Sequence, residues 1–267
     1  MTIKVWSPDH LQNHMIQLVQ TLNELGYAAE FTRPDPKDKA LHIIACPFML
    51  HKLPENYIVY NVENNERFLE GQVRGNEFNN AKQIWCHTRE TINLLYQAHP
   101  IIASLKFPKF IPPGKVMTVP VQKKIDFALF YGAWSERREK ILTELKYIFH
   151  LPIDIMWSQA NNTKFGTDML EKLMSYKVVI NLHWNKTAVL ETFRIHEALC
   201  QNCHVISEPS DLTGLSVDYE RHVYFTKNVM DMAHMIYYLL GHEFSFTFDS
   251  SILDNREYIK RALEDLK

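Results

Sequence analysis

A chain of 267 residues with 46% hydrophobic and 22% charged side chains has enough apolar surface for one large domain or two small ones. Its formal net charge of -2 removes any general attraction to nucleic acid or acidic lipid, and no apolar run approaches the ~18 residues that span a bilayer. Internal repeats and low-complexity segments are absent. So is an opening basic region followed by an apolar run and a cleavage site, and a cytoplasmic protein without a transmembrane segment is expected.

Taken in chain order, "IKVW" reads as a strand and "SPDHLQNHMIQLVQTLNELG" as a helix, with Ser7 as its cap, Pro8 in its first turn and Gly26 at its end. "YAAEF", "LHIIAC", "YIVYNVE" and "QIWCH" follow as buried strands, and "NEFNNA" and "TRETINLLYQ" as helices. This alternation is the rhythm of a parallel sheet. The proline-rich stretch "KFPKFIPPGKVMTVPVQKK" reads as a linker.

A second rhythm then begins with "IDFALFYGAW" as a strand, "SERREKILTELKYIF" as a helix, "PIDIMW" as a strand and "TDMLEKLMSY" as a capped helix. "KVVINLHW" reads as a strand whose polar end emerges at the carboxyl edge of its sheet, where open α/β folds bind ligands. "ETFRIHEALC" is a helix and "HVISEP" a strand. The expected fold is therefore α/β, with two Rossmann-like domains and a cleft between them. Residues 1–122 form the first domain and 123–267 the second, with the last helix free to pack back on the first.

Cys200, Cys203 and His204 spell C-x-x-C-H, the haem-attachment pattern of c-type cytochromes. Without an export signal, and without a fourth ligand for zinc, the stretch reads instead as a helix-to-strand turn in which Asn202 takes the left-handed conformation. Cys46 and Cys86 sit alone in apolar runs and read as buried thiols. No cofactor and no metal are expected.

Two places carry residues suited to a phosphorylated ligand. Arg194 and Glu197 share one face near the start of a helix, where free N-H groups favour phosphate; the arginine suits a diphosphate and the carboxylate two ribose hydroxyls. The plain alternative is a solvated surface pair. Gly132 ends a strand just before a helix whose first turns carry Arg137 and Arg138, and here an ordinary strand-to-helix turn is the alternative.

The order F-Y-G, an arginine-bearing helix, "VVINLHW" and then "FRIHEALCQNCHVISEP" resembles the C-terminal half of two-Rossmann-domain glycosyltransferases, above all the spore-maturation-like and exostosin-like groups with their R-x-x-E-A-L-x-x-G-x-x-x-I-S run. The likeness spans residues 126–208, and "YNVEN" and "AKQIWCHTRETINLL" resemble the acceptor-side strand and helix of that group. It implies that Glu197 holds the donor ribose and that Arg194 lies near the diphosphate or sugar. Cys203 stands at or beside the usual glycine. Glu191 and Glu197 are six residues apart, so the two-glutamate pattern of retaining enzymes, spaced eight apart, is not met.

The chain contains no D-x-D, no P-loop and no G-x-S-x-G. The implied activity is a metal-independent glycosyltransferase that moves a sugar from a nucleotide-diphosphate donor to a carbohydrate acceptor hydroxyl. Gly132, Arg137, Arg138, Asn181, His183, Glu191, Arg194 and Glu197 line the donor site, and Asp9, His14 and Glu63 are the candidate bases. The alternatives are a non-catalytic nucleotide-sugar-binding protein or a partner of another glycosyltransferase. Oligomeric state is left open.

Overall fold

The structure, a computed structural model, describes residues 2–62, 75–119, 124–158, 165–184, 190–210, 217–243 and 246–266. The chain divides into two units, one built from Met1–Lys115 with Leu253–Lys267 and the other from Val116–Leu212 with Val217–Ile252.

The first unit is a six-stranded parallel sheet in the order β2-β1-β3-β4-β5-β6, with β1 Thr2–Trp6, β2 Ala28–Phe31, β3 Leu41–Ala45, β4 Tyr57–Asn61, β5 Gln83–Cys86 and β6 Lys109–Phe110. Every residue of β3, β4 and β5 is buried, as the largely apolar runs require for strands covered on both faces, whereas edge strand β2 is half exposed along its length. Helices α1 Gln12–Glu24, α2 Gly75–Asn79, α3 Arg89–Ala98 and α4 Pro100–Lys106 belong to this unit. Phe78 and Leu95 pack with Ile44, Val59 and Ile84 in its core.

Three local expectations change. Helix α1 begins at Gln12, after a 3-10 turn at Asp9–Leu11, and Ser7 is buried without capping it. Pro8 lacks an N-H, and the tighter turn that follows takes up the residues expected to form the first helical turn. Part of the expected linker is strand β6, pairing with Trp85 and Cys86, and the division between units falls at Lys115/Val116 inside that stretch. The third change is in the second unit, where the helix at Thr167 follows Gly166 and carries no side-chain cap.

The second unit is a five-stranded parallel sheet in the order β11-β10-β9-β7-β8, with β7 Ile125–Gly132, β8 Ile153–Trp157, β9 Tyr176–Asn181, β10 His204–Ser207 and β11 Val223–Phe225. Helices α5 Glu136–Thr143, α6 Thr167–Met174, α7 Thr192–Cys200 and α8 Val229–Gly241 surround it, and α5 runs on into a π-helical turn at Glu144–Ile148. Phe130, Leu142, Leu145, Val178, Ile180, Ile206 and Ile236 form its core. Strand β11 and helix α8 are additions to the sequence reading. The chain ends in helix α9, Arg256–Glu264, which buries Ile259, Ala262 and Leu263 on the first unit, where Gln83 Nε2 donates to Ala262 O at 3.1 Å.

Numbered within their own half, the strands of the second sheet run 2-1-3-4-5. The order reverses between β7 and β9, which pair directly, so their carboxyl ends open side by side. That is where an open α/β sheet leaves a crevice.

The C-x-x-C-H stretch is the turn from α7 to β10. Asn202 has φ 56°, its Oδ1 accepts from Phe248 N at 2.9 Å, and Cys200 and Cys203 are buried free thiols. Asn202→Ala is expected to lower stability by about 1–2 kcal/mol in urea unfolding, because it puts an ordinary side chain at positive φ and leaves the Phe248 N-H donor without its acceptor, with Asn202→Gly costing less.

Candidate functional site

Gly132 ends β7, and the next residues turn into α5, whose N-terminus Ser135 caps by accepting from Arg138 N at 3.3 Å. This cap turns Arg138 inward. Its side chain is only 2% exposed, with Nε and Nη2 donating to Leu182 O at 3.0 and 2.6 Å and Nη1 to Ala133 O at 3.0 Å. A further Nη2 donor meets the Glu191 carboxylate. Burial pulls this guanidinium down to about 10, with Glu191 acting in the opposite direction, so it stays charged at neutral pH.

Glu191 stands immediately before α7 and bridges two arginines, since its other oxygen lies 2.5 Å from Arg194 Nη2. Arg194 also donates from Nη1 to Asn181 Oδ1 at 3.0 Å, and its guanidinium carbon sits 5.8 and 5.5 Å from the Phe130 and Tyr131 ring centres. A Cβ built on Gly132 would lie 2.8 Å from Arg194 Nη2. The glycine is thus the space that the arginine occupies.

Glu197 is buried one helical turn further along α7. The Tyr131 hydroxyl donates toward Glu197 Oε2 at 3.1 Å and Arg194 O at 3.2 Å. Burial, reinforced by Glu197, pushes the Tyr131 phenol well above its usual value, which keeps it a proton donor. Arg137 forms a two-pronged pair with Glu208 and donates to His183 O at 3.1 Å, while His183 N donates to Glu208 Oε2 at 2.8 Å and its Nε2 lies 3.1 Å from Pro209 O. Asn181 Nδ2 donates to Ser207 Oγ at 2.9 Å.

Gly132, Arg137, Arg138, Asn181, His183, Glu191, Arg194 and Glu197 therefore gather at the carboxyl ends of β7 and β9. Two of the sequence-level pairings are rearranged. Arg194 pairs with Glu191 and Asn181, not with Glu197 across a solvated helix face. Arg138, read as a phosphate contact or a solvated arginine, is buried and holds protein acceptors, because the Ser135 cap orients it toward Leu182. Tyr131 and Glu208 went unread, although both lie in the quoted runs "FYG" and "ISEP" at strand ends, where polar side chains face the sheet edge.

In the first unit Asp9 is exposed in the turn that follows β1, at the carboxyl edge of that sheet. His14 lies in the first turn of α1 and is buried with Met15, Leu18 and Leu22. The expectation that His14 opens toward an acceptor is corrected, since the late start of α1 sets it on the helix's inner face. Glu63 lies outside the described residues. Among the described residues, no group of three or more His, Cys, Asp or Glu side chains is placed to hold a metal ion, and no helix is long and apolar enough to cross a membrane.

No protein-family model matches the sequence, and no curated protein matches it. Solved structures do match it in fold. Anabaena HepE in complex with UDP and glucose gives a TM-score of 0.54 at 11% identity, over 99% of this chain and 98% of that one. A glycosyltransferase from Rickettsia africae gives 0.53 at 11% identity, over 100% and 97%. Sucrose-phosphate synthase from Thermosynechococcus elongatus gives 0.52 at 11% identity, over 100% and 96%. The likeness establishes the fold class: α/β with two Rossmann-like parallel sheets, as in glycosyltransferases of the two-Rossmann type.

Gly132→Ala is expected to cost about 1–2 kcal/mol in urea unfolding, because the added methyl group pushes Arg194 off Asn181 and Glu191. Combining it with Arg194→Ala, which vacates the space, should recover part of the Gly132→Ala cost, the remainder staying with the φ of 159° and with Phe130 Cζ 3.3 Å from the built Cβ, and a double-mutant cycle reads that difference.

Proposed function

We propose that the protein is a glycosyltransferase that moves a hexosyl or pentosyl group from a nucleotide-diphosphate sugar to an acceptor hydroxyl of a glycan or protein-linked glycan, and that it is of the spore-maturation-like or exostosin-like kind. One observation carries the reading: Arg194, Gly132, Asn181 and Glu197 converge at the switch point of the second sheet, with an arginine and a carboxylate one helical turn apart. The matching folds add support, since HepE was solved with UDP and glucose.

In this reading Arg194 meets the donor diphosphate, and the dipole of α7, whose N-terminus lies beside it, adds positive potential as the leaving group gains charge. Glu197, oriented by Tyr131, accepts hydrogen bonds from the ribose hydroxyls. Asn181 and His183 border the sugar. Arg138 and Arg137 are positioning residues, the first fixing Leu182 O and Glu191 and the second fixing His183 through Glu208. For inversion a base must take the acceptor proton. Asp9, an exposed carboxylate at the first sheet's carboxyl edge, is assigned that role, with Glu63 as its rival.

A non-catalytic nucleotide-sugar-binding protein is the second reading, favoured by the pairing of all three arginines with protein carboxylates. Thermal-shift screening with UDP-, GDP- and CMP-linked sugars, followed by product analysis with the donor that binds, separates the two, because a ligand of the native state raises the melting temperature whether or not it turns over. No response to any nucleotide sugar would overturn both.

Two outcomes are expected with the identified donor. Arg194→Ala should weaken donor binding or kcat/KM by roughly 2–4 kcal/mol with the fold intact, as for loss of a charged hydrogen bond in a desolvated site; unchanged kinetics would remove Arg194 from the reaction. Turnover should persist in EDTA, because Arg194 and the dipole of α7 take up the leaving charge. Complete loss in EDTA, restored by manganese, would reassign that role to a metal.

A further inference from the structure

We infer that Glu191 is a resident counter-anion: it occupies Arg194 in the absence of ligand, the ligand's diphosphate must take its place there, and it thereby favours release of the nucleoside diphosphate product. The inference rests on the diphosphate reading of this site.

Glu191 touches two arginines at once, and they differ in what they can give up. Arg138 is 2% exposed and has three further bonds to main-chain carbonyls, so it is fixed. Arg194 is more open, at 12%, and so is the Glu191 carboxylate, at 23%. It is held on its remaining sides by Asn181, the Phe130 and Tyr131 rings and the gap above Gly132. A phosphate oxygen approaching Arg194 Nη2 meets the carboxylate oxygen already 2.5 Å from it. Two anions competing for one donor repel each other, and one must move.

The other charged groups do not free Arg194 from this competition. Arg137 is matched by Glu208, and Glu197 keeps its charge beside the neutral Tyr131 hydroxyl. Arg138 and Arg194 therefore face two carboxylates, so a phosphorylated ligand gains Arg194 by displacing Glu191 from it and not through a net positive charge. A nucleoside diphosphate product carries more negative charge than the same diphosphate esterified to a sugar, so competition from Glu191 acts more strongly on the product than on the donor. The carboxylate also holds Arg194 in place beforehand, so less side-chain entropy is lost on binding.

The test is titration calorimetry with inorganic pyrophosphate, UDP, GDP, UMP and GMP against the wild type, Glu191→Gln, Arg194→Ala and the double variant. Glu191→Gln is expected to bind pyrophosphate about tenfold more tightly, as when one repelling charge is removed beside a bound anion. UDP and GDP should gain more than UMP and GMP. The gain should vanish when Arg194 is also Ala. A purely structural role for Glu191 predicts weaker binding of every ligand, and equal or weaker pyrophosphate binding, or none by either protein, overturns the inference.

Removing the partner of a buried arginine is destabilising, so the charge-balanced variant Arg138→Met with Glu191→Gln serves where the single change does not fold. It too should bind pyrophosphate more tightly than the wild type, and equal or weaker binding overturns the inference. If pyrophosphate follows the expected pattern while no nucleotide sugar binds any of the proteins, the counter-anion role stands and the transferase reading falls.

Discussion

The buried charge of Arg138 is the constraint on which the second unit's carboxyl edge depends. An arginine withdrawn from water is tolerated where its donors are met, and here four of its N-H groups reach Leu182 O twice, Ala133 O and Glu191. Those acceptors come from the end of β9, the turn after β7 and the residue opening α7. One guanidinium thus ties together three segments that are distant in sequence. Because Arg138 holds one oxygen of Glu191, the other is the oxygen that meets Arg194.

Sheet topology supplies the ground on which this network stands. Parallel strands place all their carboxyl ends on one edge, and the reversal of order between β7 and β9 keeps the connecting helices from closing over the gap there. Gly132 then does by omission what no other residue does at that strand end: lacking a Cβ, it leaves room for the Arg194 guanidinium. The packing below is ordinary for such a sheet, with Phe130, Ile180 and Ile206 buried on adjacent strands.

Much of the scaffold was legible in the residues. The mostly apolar runs "LHIIA" and "YIVYN" announced strands covered on both faces, "TRETINLLYQ" announced a helix, and Asn202 announced a left-handed turn. The errors lie where local signals compete. Ser7, Pro8 and Asp9 suit a helix start, yet a 3-10 turn intervenes and buries Ser7. The linker's prolines hid a two-residue strand, because so short a pairing depends on a neighbouring edge and not on its own pattern.

The sequence by itself determined the two parallel-sheet halves, the turn at Cys200–His204 and the set of polar residues delivered to the strand ends, because hydrophobic period and turn chemistry are local properties. Only the tertiary structure decided how those polar residues pair. Spacing along α7 suggested Arg194 with Glu197, but the fold brings Glu191 to Arg194 and Tyr131 to Glu197. Buried partners are chosen by which strand ends lie side by side and by the cost of leaving a charge unpaired. Both are set by the assembled sheet and neither by distance along the chain.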